Sequence, residues 1–319
     1  MGKRAERSLA AMPAAGETVW GTNRGRYVEN VEGVKHAGLT LTPDPASPWK
    51  KPFHAKSTMD AIKGSLDQVL LQTTASWAHI VGKYSPQKIE FVGTLVAQVL
   101  TFWLPSICYM LLEVIAPSFS ERHKIQPAPK QPTRREIARC FMVVVQNQII
   151  ASILHLTLLS AASHAGMNST YRIETSLPGP VEILRDVFLS LLMREVLFYY
   201  SHRILHIPSL YIPIHKKHHR FTAPIALAAQ FAHPIEHIFA NTLPISLPPQ
   251  LLGSHIVTFW IFLAYELVNT ATVHSGYDFF WYKARAHDLH HEKFNLNYGS
   301  LGLLDWVHGT DKLKKHRTV

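Results

Sequence analysis

Charge is scarce in this sequence. Asp, Glu, Lys and Arg supply 17% of its 319 residues, against about 25% in an average soluble domain. With 47% hydrophobic residues, the composition argues against an ordinary soluble enzyme and for membrane spans joined to a sizeable polar part. Cysteine is nearly absent. Cys108 and Cys140 each lie in an apolar stretch, so they read as small buried hydrophobes rather than a disulfide or zinc pair. No glycine-rich nucleotide loop, internal repeat or low-complexity tract occurs, and the start MGKRAERSLAAM lacks the long apolar core of a secretory signal. Acidic residues are outnumbered, 22 against 32 basic ones, for a net charge of +10. That excess suits nucleic acid or an anionic membrane surface. With apolar spans present, the membrane is the simpler partner and no nucleic acid is expected.

Residues 1–60, rich in Gly, Pro, Ala and charge, read as a mostly irregular extension, and 61–82 as an amphipathic helix lying on the membrane. Phe91 to Leu112 contains no charge, enough for a crossing of about 20 residues. Pro105 should kink it. Phe141 to Ser163 is a second span, with His155 as its polar exception. The loop between them carries Arg122, Lys124, Lys130, Arg134, Arg135 and Arg139, which places it in the cytosol. The next loop holds Asn168-Ser169-Thr170, a glycosylation acceptor pattern compatible with the lumen. A third helix, Glu182 to His206, returns the chain to the cytosolic side and stops at Pro208. Ile238–Leu252 and Ile256–Val273 form an apolar hairpin, spanning or re-entrant, broken by Pro244, Pro248 and Pro249. Three crossings before His202 put the basic N-terminus in the lumen. Either Phe91–Leu112 does not cross simply, or residues 61–82 also enter the membrane. The expected organisation is a 1–85 extension, first transmembrane helices over 86–179, and a histidine-rich region over 180–312.

Histidine is what the sequence has in excess, 20 residues in all. Three clusters stand out: His202 with His206 (HxxxH), His215 with His218 and His219 (HxxHH), and His287 with His290 and His291 (HxxHH). On a helix, residues at i, i+3 and i+4 share one face, so each cluster aims two or three imidazoles toward one point. A lone histidine is most often a hydrogen-bonded core residue, and HKKHHR alone reads equally well as a solvated basic face. Eight imidazoles in three such clusters exceed the four ligands of one zinc and imply two metals. His-Glu-x-x-His is missing, since Arg203 follows His202, which argues against a zinc protease. No Glu-x-x-His pair occurs either, which argues against a glutamate-rich di-iron bundle. Imidazole suits iron, zinc and copper alike, so the ligand type leaves the metal open.

These motifs in this order, with AHPIEH (232–237), HSGYD (274–278) and FNLNYGSLGLLDWVHGTD (294–311), resemble the fatty acid hydroxylase/sterol desaturase superfamily. Within it, the C-4 methylsterol oxidases and their relatives are the most similar. The resemblance covers about residues 180–312. It implies an all-α integral membrane bundle of about four transmembrane or re-entrant helices, with a cytosolic histidine-rich cap holding two Fe ions. His202, His206, His215, His218, His219, His287, His290 and His291 are then ligands, with His274 a ninth. His233 is a ligand or a hydrogen-bond partner of one. Asp278 stands where some branches have another histidine, so a carboxylate is a further candidate there. Glu236 and Asp288 are candidates to orient imidazoles, or else helix-surface charges. His237 reads as structural. Asn297 and Tyr298 shape the site or make the turn before Gly299, and Glu266 is functional or paired with a neighbour.

The activity so implied is O2-dependent hydroxylation of a lipid C–H bond, sterol-like by preference, at the endoplasmic reticulum membrane with the site facing the cytosol. Electrons would come from cytochrome b5 or an NAD(P)H-dependent reductase, and residues 1–85 are short of a cytochrome b5 domain. Lys216, Lys217, Arg220 and Lys312 would dock an acidic donor or touch lipid phosphates. The alternatives are a desaturase or fatty-chain hydroxylase of the same superfamily, and a non-catalytic metal-binding membrane protein.

Overall fold

A computed structural model describes residues 55–126, 130–167, 169–279 and 281–312. Asn168 of the acceptor triplet and most of the N-terminal extension lie outside the described residues. The described chain is almost wholly helical, with two isolated bridges, Lys124–Tyr277 and Arg172–His255, and no strand. The described residues from 56 to 312 form one compact unit.

Helix α1 (Ala55–Lys83) begins before the expected amphipathic segment and leaves Met59, Ile62, Leu66, Val69, Leu70 and Leu71 exposed. Ser85 caps α2 (Pro86–Gln98), its Oγ accepting from Lys88 N at 3.3 Å. A π turn, Val99–Trp103, then leads into α3 (Leu104–Ile115), with Pro105 in its first turn. The expected irregularity at Pro105 thus takes the form of a π turn. Proline offers no N–H to the carbonyl four residues back and crowds it, and a widened turn absorbs both problems. After α4 (Pro117–His123), Thr133 and Glu136 close a capping box that starts α5 (Arg134–His164): Thr133 Oγ1 accepts from Glu136 N, and Glu136 Oε2 accepts from Thr133 N at 2.9 Å.

Three helical stretches are long and apolar enough to cross a membrane: Pro86–Ile115, Arg134–His164 and Ile256–Val273 (α10). Only 11% and 17% of the first two are buried, against 50% of the third, so the first two are the lipid-facing pair and α10 is central. Before α10 in the chain comes α6 (Pro180–Leu205), which packs on α10 and whose Asp186, Ser190, Arg194, Glu195, Tyr199 and His202 are all buried. Residues 186, 190 and 194 recur every fourth position and make a polar inner stripe. The buried Glu266 of α10 pairs with Arg194 Nε at 3.0 Å, so the carboxyl in that apolar helix has its partner on α6. α9 (Leu243–Leu251) keeps Pro248 and Pro249 inside a continuous helix. The prolines do not break it: Pro248 and Pro249 are buried, and α9 packs along α6, so packing offsets the lost backbone bonds.

Close approach governs one crossing. A Cβ on Gly93 of α2 would collide with the Trp260 ring of α10, whose Nε1 donates to Thr94 Oγ1 at 3.1 Å.

The two ends of the bundle are distinguishable. At one end, Ile125 N donates to Gly276 O at 2.9 Å, Asp278 N donates to His123 O at 3.0 Å, and Gln126 Nε2 donates to Asp288 Oδ1 at 2.7 Å. The basic loop after α3 therefore packs on the segment that carries the third histidine cluster. At the other end, Ser169 Oγ donates to Glu90 Oε2 at 2.6 Å and Trp77 Nε1 donates to Glu174 O at 2.8 Å. Pro86–Ile115 thus runs end to end, and the second half of α1 sits away from the histidines. Cys108 is exposed, against the expectation of a buried hydrophobe, while Cys140 is buried; both are free thiols in apolar spans.

Candidate metal centre

The histidines converge from four short pieces of chain. His202 lies in the last turn of α6 and His206 caps its C-terminus, just ahead of the short α7 (Pro208–Tyr211). His215, His218 and His219 lie on a 3-10 turn, His215–Arg220. His274 caps the C-terminus of α10. His287, His290 and His291 lie on α11 (Trp281–Lys293). They sort into two groups, His202, His206, His215, His219 and His290 in one, His218, His274, His287 and His291 in the other, with one ligand atom of each within 4.8 Å of the rest of its group.

Each HxxHH motif is split between the groups, which the spacing rule does not foresee. His215 and His219 turn to the first group and His218 to the second; His290 turns to the first, His287 and His291 to the second. Successive residues on a helical turn point about 100° apart, so an adjacent HH pair straddles two centres instead of aiming at one. The groups abut: the rings of His219 and His291 are 4.7 Å apart and those of His218 and His219 are 5.5 Å apart.

Nitrogen faces nitrogen throughout. His215 Nε2 lies 3.1, 3.0 and 3.0 Å from the Nε2 atoms of His202, His206 and His219. In the second group His287 Nε2 is 2.8 Å from His274 Nε2 and 3.1 Å from His291 Nε2. The tautomers follow from the opposite ring edges. His202 Nδ1 donates to Tyr298 O at 2.7 Å, His218 Nδ1 to Phe231 O at 3.3 Å, His274 Nδ1 to Thr270 O at 2.8 Å, and His290 Nδ1 to Leu296 O at 2.6 Å. Carbonyl oxygens only accept, so these four rings carry their proton on Nδ1 and present a bare lone pair at Nε2. His215 Nδ1 donates to Glu236 Oε1 at 2.9 Å, with the same result.

Converging lone pairs repel unless a cation lies among them. Nitrogens about 3 Å apart are what bonds of about 2.1 Å to one metal require at right angles. Burial also holds the imidazoles neutral, the form that ligates. Burial first, and then the neighbouring His202, pull His206 down to about 2. Desolvation likewise lowers His274 to about 4 and pushes His219, His287 and His291 well down. The donor set fits two metal ions, each anchored through rings whose far edge is tied to the backbone or to Glu236.

His233, the tenth predicted residue, is not brought into either group. It caps α8 (Pro234–Glu236), and its Nδ1 accepts from Ile235 N at 3.3 Å. Asp278 is also elsewhere, bonded to His123 Nδ1 at 3.1 Å and Arg285 at 2.7 Å. Glu236 orients His215 as expected, whereas Asp288 accepts from Gln126. Asn297 and Tyr298 do both proposed jobs: Asn297 takes φ 53° in the turn, and Tyr298 supplies the carbonyl that orients His202.

Two supports were not foreseen. Glu195 accepts from Ser300 N, Leu301 N and Leu304 N at 2.9, 2.8 and 3.2 Å. Asp305, on α12 (Leu303–His308), accepts from Tyr298 N at 2.8 Å and Gly299 N at 2.7 Å. Together they fix the loop that holds the Tyr298 carbonyl against His202. An acidic residue at the middle of α6 was the available signal.

A cavity of about 240 Å³ ends at the centre. Its inner end is lined by His202, His215, His218, His274 and His287, and its outer end by Phe91, Leu95, Leu154 and Leu158 of the lipid-facing helices.

Fold and site together define a helical membrane protein with two groups of histidines that could hold metal, on a largely apolar cavity. The profile of the fatty acid hydroxylase family matches residues 187–310. The chain is 35% identical over 248 residues to fatty acid hydroxylase domain-containing protein 2 of Homo sapiens, covering 76% of this chain and 73% of that protein. It is 36% identical over 201 residues to fatty acid hydroxylase ahd1 of Mycosarcoma maydis, covering 62% and 51%, and 27% identical over 252 residues to methylsterol monooxygenase 2-2 of Arabidopsis thaliana, covering 75% and 91%. This chain belongs to the fatty acid hydroxylase family. No solved structure matches it.

Proposed function

We propose that the chain is a membrane-bound non-haem di-iron oxygenase that hydroxylates a C–H bond of a sterol or related lipid. The observation that carries this reading is the set of nine imidazoles in two groups, five of which line a cavity whose other walls include side chains of the lipid-facing helices. Two irons bound there supply the activation of O2 and the oxidation of the C–H bond. His202, His206, His215, His219 and His290 hold one, and His218, His274, His287 and His291 the other. The apolar walls from Phe91 to Leu263 exclude water from the reacting carbon. Relatives named as a fatty acid hydroxylase and a methylsterol monooxygenase support an oxygenation, and the choice of a sterol over a fatty chain follows the sequence resemblance. Cytochrome b5 or an NAD(P)H-dependent reductase supplies the electrons, docking on the face that carries Lys216, Lys217, Arg220 and Lys312.

Reconstitution tests the metal. Protein purified in mild detergent and loaded anaerobically with Fe(II) should retain about two irons per chain, because two complete donor groups are present. A single tightly held iron would overturn the di-iron reading. Lipid profiling of cells with and without the protein, by mass spectrometry, identifies the substrate as the lipid that accumulates in its absence.

Orientation in the endoplasmic reticulum follows from the bonds between the basic loop and the histidine end, combined with the positive-inside tendency. Cysteines substituted singly for the exposed Glu121 and Lys312 should react with an impermeant thiol reagent in sealed microsomes, whose cytosolic face is outward. A Thr170→Cys protein should react only after detergent is added. Protection of Lys312→Cys beside labelling of Glu121→Cys would place the two on opposite sides and break the shared centre.

A further inference from the structure

Among the polar side chains of the cavity that belong to neither metal group, one short segment carries two unpartnered atoms. It is the π turn His237–Thr242, which continues directly from α8. Such turns widen a helix by one residue and recur at functional sites. His237 is 4% exposed and its Nδ1 has no partner. Four residues on, the Nδ2 of Asn241 is also buried and unpartnered. Both side chains line the cavity, as does Glu236, whose Oε1 accepts from His215 while Oε2 has no partner. Buried polar atoms left unmet are rare in folded proteins and call for a partner that is part of the working state.

We infer that His237 and Asn241 form a subsite that hydrogen-bonds a neutral oxygen function of the lipid, a hydroxyl before all. The inference rests on the oxygenase reading and names the substrate class for the same cavity. The chemistry of the atoms selects the group. Asn241 Nδ2 only donates, so it needs an oxygen acceptor, and a hydroxyl can accept from it while giving its own proton to His237 Nδ1. A carboxylate suits the wall poorly. Arg194, the guanidinium on this cavity, pairs with Glu266 through Nε at 3.0 Å and keeps an unpartnered Nη1, but it belongs to α6 and not to this turn, whereas the Glu236 carboxyl, next to His237 in the chain, lines the same cavity. A plain hydrocarbon leaves every one of these atoms unmet. Glu236 is adjacent to His237 in the chain and holds His215, and all three line one cavity. The substrate is therefore an alcohol-bearing lipid, not an unfunctionalised chain.

Binding without O2 tests this apart from catalysis. Radiolabelled cholestanol and cholestane, and separately hexadecanol and hexadecane, are titrated against the iron-loaded full chain in detergent. At least one alcohol should bind about tenfold tighter than its hydrocarbon, and His237→Leu and Asn241→Leu should each remove most of that preference while hydrocarbon affinity stays unchanged. His237→Gln, which keeps an N–H, should recover part of it. The pair that discriminates tells a ring lipid from a chain lipid. Equal binding of alcohol and hydrocarbon by the native protein in both pairs would overturn the subsite, as would a preference that survives all three variants. If His237→Leu also loses hydrocarbon binding, its effect is structural and Asn241→Leu with His237→Gln decide. Alcohol preference abolished by the variants, with no oxidised product from the native protein, would uphold the subsite and sink the oxygenase reading. Oxidation without any alcohol preference would do the reverse.

Discussion

A His290→Ala protein should lose iron from the five-imidazole group, keep iron in the four-imidazole group, and show no measurable turnover. His218→Ala should do the converse on metal and the same on turnover. The asymmetry follows from the split motifs. His290 Nε2 lies 3.2 Å from His219 Nε2 in the first group, and His218 Nε2 lies 3.5 Å from His274 Nε2 in the second. Each replacement also strands a carbonyl, Leu296 O or Phe231 O, that the ring N–H had satisfied. A fall in rate of about a thousandfold or more corresponds to about 4 kcal/mol of lost barrier reduction, reasonable for a ligand without which one metal is absent. Iron per chain should drop from about two to about one in either variant, and membrane insertion should survive because the spans lie elsewhere. His233→Asn and His237→Ala supply the contrast. Asparagine caps a helix as well as His233 does, and neither residue belongs to a donor group, so both variants should keep two irons. Full occupancy and full activity in His290→Ala and His218→Ala would refute the assignment of roles.

The parts of this architecture that could be read from the sequence are those with a local signature. Two uncharged runs marked the lipid-facing helices, although the second helix starts at Arg134, ahead of the run that opens at Phe141. The histidine clusters were visible because HxxHH twice over is improbable by composition. His274 stands alone in sequence and came only through the resemblance of HSGYD. Partition into two groups was not visible, because it depends on how a 3-10 turn and a helix face each other across the chain. Spacing also misjudged Pro248 and Pro249: local propensity says break, and burial against α6 outweighs it. Glu266 could be flagged but not paired, since Arg194 is distant in sequence and meets it only when α6 packs on α10. Distant partners were the general blind spot. Gln126 with Asp288 and Glu195 with the loop at 299–304 join segments whose proximity no periodicity encodes.

Glu195 is where that blind spot has its largest consequence. Its carboxylate collects three backbone N–H groups and the Ser300 hydroxyl at 3.1 Å. Gly299 passes so close that a Cβ there would lie 2.6 Å from Glu195 Oε1. The same loop delivers Tyr298 O to His202 Nδ1. Removing the carboxylate strands buried donors at about 1–3 kcal/mol apiece, although some will find water once the loop relaxes. Glu195→Ala should therefore destabilise the protein by several kcal/mol, and, for a chain of this size, lower Tm by about 2–4 °C per kcal/mol. The effect on metal should be selective. With Tyr298 O displaced, His202 loses the bond that sets its tautomer, and changes of this kind weaken metal binding by about 10- to 100-fold. The second group does not lean on this loop: His218 and His274 donate to Phe231 O and Thr270 O, and the group should hold iron as before. Gly299→Ala should produce the same pattern from the other side, by pushing the loop off an intact Glu195. Glu195→Gln should be milder, because its amide oxygen still accepts from part of the loop. Iron titrations at equilibrium, read as two separate affinities, decide the matter. Weakening of both groups alike in Glu195→Ala and Gly299→Ala would mean general unfolding, and no weakening in either would mean that the loop does not position His202.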